Sequence, residues 1–497
     1  MHTGPTLLHA YAISWRSESW RSSPALTHAD SGHTLNYEAL FARVSSMAGG
    51  LRQAGVAPRT LVAVAMERSI ESVIAILGIM AAGACPCPLE PRLTSQEIES
   101  RLRTVGIQTV LADAPGLATL EALSKTRVLQ AETLVNAEAF WADDIQPHDP
   151  GLLLFTSGST GRPKGVLLSH RGLLNNARGV IPATGLDATH KLLHIMPLYH
   201  TNGLNNQLFS PLLARSQIVL GPRFRASDMP ALLEQHRPTI ITGVPTMYSR
   251  MLDQSFTPES LAALRFARCG SAPITQELHK RIEAHLQCPL VISYGLSEAT
   301  CTSTINPPHM RKLGSIGKAL PNQDIHLRAS DGSVITEAGI EGEICIGGDS
   351  LMMGYLGTSA DGILEPAASV IHSGDLGHVD EDDYFYITGR LKDVIIRGGE
   401  NISPAIIEHV ISTLPWVRAC CVVGRPDADL GEVPVAFVVP ADPALKDKPA
   451  IEILIKEQLS RIYQPEEIYF IDSLPENSVG KVDRKALALN LATSAPG

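Results

Sequence analysis

The sequence predicts an α/β protein in two parts. The first is a large N-terminal region of doubly wound, mostly parallel sheets plus a small β-barrel, and the second is a hinged, smaller α+β C-terminal domain. Through the first two thirds of the chain, short apolar runs alternate with helical periodicity, which is typical of parallel sheets covered by helices. From Ile325 the runs become short and alternating, which indicates antiparallel strands. With 497 residues, the chain is too long for one ordinary core.

The first predicted elements alternate between helix and strand. An amphipathic opening helix is expected around Leu7, Leu8, Tyr11 and Ala12. The elements that follow are a helix that starts within residues 34–38, a strand at 62–65, an apolar helix at 69–83 and a strand at 109–112.

The same alternation returns in the middle of the chain, and the pattern then changes twice. Parallel strands are predicted at 191–196, 239–242 and 290–293, with helices at 229–236 and 277–286. Antiparallel strands are predicted at 324–328, 342–346 and 384–388, and the last segment has strands at 419–423 and 435–439 and a helix at 451–459. We place a domain boundary at Leu391-Lys392, so that the predicted domains are residues 1–391 and 392–497.

Composition excludes several functional classes. The formal net charge is −10, and no lysine- or arginine-rich run is long enough for a nucleic-acid groove, so no nucleic-acid partner is expected. No apolar run reaches the ~18 residues of a membrane span. The eight cysteines show no CxxC or Cys/His ligand spacing, which favours reduced thiols. We therefore expect a cytoplasmic protein without a membrane span, either a monomer or a homodimer.

The chain is organised around the stretch at residues 151–170. An apolar run at 152–155 predicts a buried strand, and a second apolar run follows at 166–168. Between them, backbone N–H groups, hydroxyls and the ammonium of Lys164 can bind an anion. The position of Lys164 does not fit the GxxxxGK[ST] spacing of the common nucleotide P-loop. A solvated turn is the alternative interpretation.

This stretch resembles, almost letter for letter, the phosphate loop of the adenylate-forming enzymes: acyl-CoA synthetases, luciferases and the adenylation domains of peptide synthetases. Five further stretches match that family in the family's order, over roughly residues 7 to 487. The resemblance implies ATP and Mg²⁺ as cofactors and coenzyme A as cosubstrate. It also implies that ATP is bound by Thr156, Ser157, Gly158, Ser159, Thr160, Gly161 and Lys164.

Two stretches are assigned by the resemblance to adenine, the acyl group and the metal. A tyrosine beside a glycine offers a planar face with space for a purine, and a carboxylate is a hard ligand for Mg²⁺. In the family, the positions of Tyr294 and Gly295 contact adenine and that of Glu298 binds Mg²⁺. Without the family, Tyr294 would be interpreted as a core residue. The loop that borders adenine and the acyl group is matched by Gly270, Ser271 and Ala272.

Two further residues are assigned to the sugar. Asp375 matches the aspartate that accepts hydrogen bonds from the ribose hydroxyls, and Arg390 matches a second ribose or phosphate contact. An aspartate in a glycine turn is otherwise a turn former.

The remaining assignments concern catalysis and the hinge. By resemblance, His200 lies at the gate between the carboxylate pocket and the route of the thiol, although a lone histidine is more often structural. Lys392 matches the hinge, Gly399 lines the pantetheine tunnel, and Lys481 bridges the substrate carboxylate and the α-phosphate. The second domain would thus be mobile and carry the catalytic lysine. Ile406 stands where the family usually has a glutamate.

The sequence therefore predicts an AMP-forming acid–CoA ligase acting on a small carboxylic acid, and residues 398–404, GGENISP, favour CoA as acceptor. One alternative is an enzyme that loads its acid onto a carrier-protein thiol or another nucleophile. Another is a non-catalytic nucleotide-binding protein on the same fold. The acid itself stays open. Four amides near the predicted pocket hint at a polar or small acid, or else cap a helix: Asn202, Asn205, Asn206 and Gln207.

Overall fold

The computed structural model describes residues 5–120, 123, 126–157, 163–357, 364–477 and 481–493. Of the predicted phosphate loop, Gly158, Ser159, Thr160 and Gly161 lie outside the described residues, as does the side chain of Ser157. No described helix combines the length and apolar character that a membrane crossing requires. The α-helices are α1 (Leu7–Trp15), α2 (Tyr37–Gln53), α3 (Ile70–Ala81), α4 (Ser95–Val105), α5 (Ala114–Leu120), α6 (His170–Thr184), α7 (Ser210–Leu213), α8 (Met229–His236), α9 (Pro245–Met251), α10 (Pro258–Leu261), α11 (Gln276–Leu286), α12 (Pro404–Ser412), α13 (Lys448–Gln458) and α14 (Arg484–Thr493).

The predicted strands recur in the predicted order, most of them with small shifts at their ends, and further strands lie between them. They are β1 (Pro24–His28), β2 (Thr34–Asn36), β3 (Leu61–Ala65), β4 (Cys85–Pro88), β5 (Thr109–Ala112), β6 (Arg127–Gln130), β7 (Pro150–Ser157), β8 (Pro163–Ser169), β9 (Lys191–His194), β10 (Gln217–Leu220), β11 (Ile240–Gly243), β12 (Phe266–Gly270), β13 (Leu290–Tyr294), β14 (Thr304–Ile305), β15 (Lys318–Ala319), β16 (Asp324–Arg328), β17 (Val334–Ile335), β18 (Gly342–Gly347), β19 (Gly354–Leu356), β20 (Glu365–Pro366), β21 (Val370–Val379), β22 (Phe385–Arg390), β23 (Ile395–Arg397), β24 (Glu400–Ile402), β25 (Val417–Asp427), β26 (Gly431–Pro440) and β27 (Glu467–Phe470).

Helix caps explain where the helices begin. Ser69 caps α3, because its hydroxyl accepts from the backbone N–H of Ser72 and the side chain of Ser72 bonds back. The predicted start of the second helix within residues 34–38 is confirmed, although a short strand precedes the helix there. Thr34–Asn36 forms strand β2, and α2 begins only after Asn36, whose side-chain oxygen accepts from the N–H of Ala39.

Two sheets give the first region its parallel character. A nine-stranded sheet has the order β15-β14-β13-β12-β11-β9-β10-β1-β2, and its six central strands from β13 to β1 pair in parallel. A four-stranded sheet, β4-β3-β5-β6, is parallel throughout. The doubly wound, mostly parallel class is therefore confirmed.

Antiparallel pairing builds the rest of the first region. Strands β7 and β8, on either side of the glycine-rich loop, form a hairpin within the sheet β20-β19-β8-β7. The region expected to be a small barrel is a five-stranded antiparallel sheet, β17-β16-β18-β21-β22, and the described pairings do not join its two end strands.

The last part of the chain has its own sheet and core. Strands β24-β23-β26-β25 pair in that order, with β27 added beside β26, and β25 and β26 are each at least twice as long as predicted from their apolar centres. Buried apolar residues from Ile395 onward form clusters separate from those before residue 388. The turn Leu391–Asp393 lies between the two sets.

Candidate active site

The hairpin β7–β8 brings together the two described ends of the glycine-rich loop. Thr156 is paired with Lys164 in its register. The hydroxyl of Thr156 is buried and has no hydrogen-bond partner among the described residues. The ammonium of Lys164 lies 3.5 Å from the ring centroid of Tyr355, which is cation–π distance.

Tyr355 links Lys164 to Glu298, and sequence reasoning missed it. Its hydroxyl donates a 2.8 Å hydrogen bond to Oε1 of Glu298. Burial, reinforced by the Glu298 charge, raises the pKa of Tyr355, so the phenol stays a donor. The residue reaches this position because Tyr355 on β19 is paired with Val166 on β8. No local sequence pattern predicts such a long-range strand pairing.

The backbone beyond Glu298 turns sharply back toward β13. Thr300 and Cys301 both have positive φ, 55° and 94°, a region that non-glycine residues rarely adopt. Gly295 allows this close return, because a Cβ there would lie 1.9 Å from the carbonyl oxygen of Cys301. Backbone strain of this kind is common at functional sites.

The predicted adenine and ribose residues form one hydrogen-bonded group. The hydroxyl of Tyr294 donates to Oδ2 of Asp375 at 2.8 Å, and Nε of Arg390 donates to Oδ1 at 2.6 Å. Asp375 is 1% exposed, whereas the Arg390 side chain is 44% exposed. Burial, aided by the Asp375 charge, raises the pKa of Tyr294, so its hydroxyl remains protonated.

The companion loop lies at the carboxyl end of β12, beside the strand that carries Tyr294. Gly270 is paired with Ser293, and a Cβ on Gly270 would lie 2.8 Å from the carbonyl oxygen of that serine. Ser271 follows with a φ of 69°. The predicted loop 270–272 is thus adjacent to the predicted adenine site.

The loop before Asp375 is held by Glu343, which sequence reasoning also missed. Oε1 of Glu343 accepts from the backbone N–H of Gly374 at 2.9 Å, and Oε2 lies 2.7 Å from Nδ1 of His372. Cys345 Sγ is 3.6 Å from the same nitrogen. Chain spacing could not reveal this group of possible metal ligands, because the pairing of β18 with β21 assembles it.

His200 is held as a neutral group. Burial, followed by the nearby Lys481 charge, lowers the pKa of His200 to about 4. Its Nδ1 is buried and finds no partner in the described part of the chain. A π-helix, Asn202–Phe209, begins two residues later.

The interpretation of the four amides as helix caps is wrong. All four lie inside this π-helix, and their side chains are at most 4% exposed: Asn202, Asn205, Asn206 and Gln207. They therefore face a packed interior.

Lys481 of the last segment approaches the groups of the first. Burial and the Arg390 charge lower the pKa of Lys481, while Asp375 and Glu298 act in the opposite direction. These influences require proximity, since Coulomb energies fall with distance. The structure thus brings together Lys481, His200, Glu298, Asp375 and Arg390.

Gly399 lies in a turn of the last part of the chain. It lies in the exposed turn between β23 and β24 with a φ of 85°, and a Cβ there would meet nothing within 4 Å.

An ion-pair cluster stabilises the segment that follows the turn Leu391–Asp393. Arg484 lies 2.7 Å from Oε1 of Glu408 and 3.7 Å from Asp393. Glu408 Oε1 also accepts from the N–H of Val422 at 2.7 Å. The glutamate near Ile406 therefore has a structural role in this chain.

Comparison with known proteins gives family matches for most of the chain. A family model described as AMP-binding enzyme matches residues 13–356, and one described as AMP-binding enzyme C-terminal domain matches residues 406–481. A feruloyl-CoA synthase of Amycolatopsis sp is 34% identical over 485 residues, covering 94% of this chain and 96% of that protein. A sulfoacetate–CoA ligase of Cupriavidus necator is 32% identical over 506 residues, covering 96% and 97%. The crystal structure of ATP-bound MatB from Rhodopseudomonas palustris superposes with a TM-score of 0.88 at 28% identity, covering 98% and 99%.

Proposed function

The chain belongs to the family of AMP-binding enzymes, and from this premise we propose how its residues turn a carboxylic acid and ATP into a CoA thioester. It is an ATP-dependent acid–thiol ligase that works through an acyl-adenylate. The observation that carries the proposed residue roles is the approach of Lys481 to Glu298, Asp375 and Arg390.

In the first half-reaction, a carboxylate oxygen attacks the α-phosphorus of ATP. The bond from the α-phosphorus to its bridging oxygen breaks, and pyrophosphate leaves. Two anions meet in this step, so preorganised positive charge lowers the barrier. We assign that charge to Lys481 and Lys164. Removing one such contact typically costs about 10²–10³ in rate.

The nucleotide would be held by the hydrogen-bonded group of Tyr294, Asp375 and Arg390. The ring of Tyr294 offers a face for adenine, and its hydroxyl keeps Asp375 in place. A carboxylate can accept about four hydrogen bonds. Asp375, which already accepts two, can therefore still accept from the ribose hydroxyls.

Mg²⁺ is proposed as a cofactor at Glu298. The carboxylate is a hard oxygen donor, and its assigned side-chain hydrogen bond uses only Oε1, so the residue fits such an ion. When bound, Mg²⁺ would supply positive charge to the triphosphate.

In the second half-reaction, the thiol sulfur attacks the acyl carbon. The bond from that carbon to the AMP oxygen breaks, AMP leaves, and the thiol proton is released. Lys481 is not needed here, but a passage for pantetheine is. We propose that the domain from residue 392 swings about Lys392. This movement would take Lys481 out of the site and bring Gly399 into it. The separate apolar cores on either side of this turn support residues 1–391 and 392–497 as the two bodies.

The proposed residue roles are tested by assaying the two half-reactions separately. We expect pyrophosphate release to need both acid and ATP, and thioester to form only after CoA is added. If CoA is inert and a carrier protein bearing phosphopantetheine accepts the acyl group, the carrier-loading alternative replaces CoA as acceptor. Absence of ATP–pyrophosphate exchange over a broad panel of acids would refute the proposed roles.

Two properties outside the site complete the proposal. All eight cysteines are free thiols, which supports a cytoplasmic location. A monomer or homodimer is proposed, and light scattering would distinguish the two.

A further inference from the structure

Arg268, in the middle of β12, is a buried cation whose side-chain hydrogen-bond partners among the described residues are neutral. It is 4% exposed. Nε donates to the hydroxyl of Ser293 at 3.2 Å, and Nη2 donates to the hydroxyl of Thr302 at 2.9 Å. Both partners are neutral, and the ion pairs assigned within the described ranges do not include Arg268. A buried charge of this kind needs compensation.

The guanidinium keeps its charge at neutral pH. Burial lowers the pKa of Arg268 only to about 10, and the nearest titratable influences are Cys301 and Tyr248, both neutral at that pH. Arg268 therefore adds net positive charge to the interior.

Arg68 shows how this chain satisfies a similar group structurally. Burial also lowers the pKa of Arg68 to about 10. Its guanidinium donates to the carbonyl oxygens of Gly221, Met196 and His194 at 2.6–2.8 Å and contacts Nδ1 of His194. These oxygens carry the partial negative charge that the two hydroxyls beside Arg268 supply less well. The contrast leaves Arg268 open to an anionic ligand.

The π-helix that Thr302 contacts holds further polar groups without hydrogen-bond partners among the described residues. Thr302 donates to Oδ1 of Asn206, which ties the π-helix to the arginine. Both amide atoms of Asn205 and Nε2 of Gln207 are buried and unpaired within the described residues, although these side chains are at most 1% exposed. Buried polar groups are almost always hydrogen-bonded, so unpaired ones at a ligand site indicate a polar ligand.

Chain connections place this cluster beside the reacting groups but distinct from them. Thr302 follows Glu298 by four residues, and the π-helix follows His200 by two. Arg268 is therefore a second cation near the motif residues, on an element other than the segment that carries Lys481.

We infer that Arg268, with Thr302 and the π-helix amides, binds a second anionic group of the acid, a carboxylate or sulfonate at the end remote from the reacting carboxylate. This inference rests on the proposed function and names its substrate class: a small acid with two anionic ends. An arginine fork matches an oxyanion group in shape and charge, and the amides offer further donors.

Matched pairs of acids test this inference with the unaltered enzyme. Each pair differs only by a terminal methyl replaced with an anionic group: propionate against malonate and sulfoacetate, butyrate against succinate, and valerate against glutarate. We expect kcat/KM for pyrophosphate release to be at least about 10²-fold higher for the anionic member of at least one pair. A preference for the methyl-terminated member in every pair would overturn the inference and leave the proposed function intact. No exchange with any acid would overturn both.

Variants locate the preference at Arg268. Arg268→Met should lower kcat/KM for the favoured dianion by about 10²-fold or more, because the remaining charge loses its partner, and should change that for the methyl-terminated acid by less than about 5-fold. Arg268→Lys should restore part of the preference for the dianion. This variant keeps the test decisive if the methionine variant folds poorly. Arg265→Met, at an exposed arginine three residues earlier, is the control. An unchanged preference in Arg268→Met would contradict the assignment.

Discussion

Arg250 donates a 2.7 Å hydrogen bond to the carboxylate of Glu476, five residues before Lys481. This contact joins α9 of the first region to the segment that carries the proposed catalytic lysine. A second ion pair, Arg418 with Asp253, joins the same two regions. Both arginines are partly exposed, so each pair is weak and reversible. Weak tethers suit the proposed motion, in which the second domain binds in one half-reaction and leaves in the other.

Loss of the Arg250 tether should slow adenylation selectively. Arg250→Ala should reduce pyrophosphate release by up to about 5-fold, because an exposed ion pair contributes at most about 1 kcal/mol. Thioester formation from synthetic acyl-adenylate should be unchanged. Arg43→Ala, which breaks a pair within the first region, is the matched control. An equal effect of both variants on adenylation would argue against a tether.

Tyr355→Phe should weaken the response to Mg²⁺. The substitution keeps the ring beneath Lys164 but removes the donor to Glu298. Loss of a partner that orients a metal ligand typically costs about 10–100-fold in metal affinity or activity. We therefore expect at least about 10-fold more Mg²⁺ for half-maximal adenylation. Tyr386→Phe, which loses a hydroxyl contact to Asp380, is the control. A Mg²⁺ dependence like that of the unaltered enzyme would exclude this role.

Asp375→Asn should remove recognition of the ribose. The charged acceptor becomes an amide, and a hydrogen bond to a charged group is worth about 1.5–3 kcal/mol, or about 10–100-fold. KM for ATP should rise by that factor while KM for the acid changes little. The preference for ATP over 2′-deoxy-ATP should also shrink. If the variant keeps the full preference for ATP over 2′-deoxy-ATP, Asp375 does not bind the ribose hydroxyls.

The rate of adenylation should fall at a lower alkaline pH than the ordinary pKa of a lysine predicts. Burial lowers the pKa of Lys481, so its proton leaves below the usual value of about 10.4 and the positive charge is lost as pH rises. His200, with a pKa of about 4, stays neutral and gives no acidic limb above about pH 5. Pyrophosphate release measured from pH 5 to 10 should show the alkaline limb, and Lys481→Arg should move it upward. The same limb in thioester formation from acyl-adenylate would count against Lys481 as its source.

Sequence patterns predicted the elements whose cause is local. Continuous apolar runs gave the parallel strands, and helix α8 was predicted to the residue at Met229–His236. Strand β2, Thr34–Asn36, was not predicted, because it forms by pairing with β1, a contact that no local pattern contains.

The residues of the candidate site also fall into those that the sequence could predict and those that it could not. Motif residues such as Tyr294 and Asp375 could be named from spacing and resemblance. Tyr355 could not, since only the pairing of β19 with β8 brings it to Lys164. Arg268 could not either, because one arginine in an apolar strand carries no signal until its burial and neutral partners are known.

Separate assay of the two half-reactions in Lys481→Ala tests the central claim most directly. Lys485→Ala, at an exposed lysine nearby, serves as the control. The account predicts that Lys481→Ala loses pyrophosphate release from acid and ATP by at least about 10²–10³-fold, yet still forms thioester from synthetic acyl-adenylate and CoA. Equal loss of both half-reactions would contradict it.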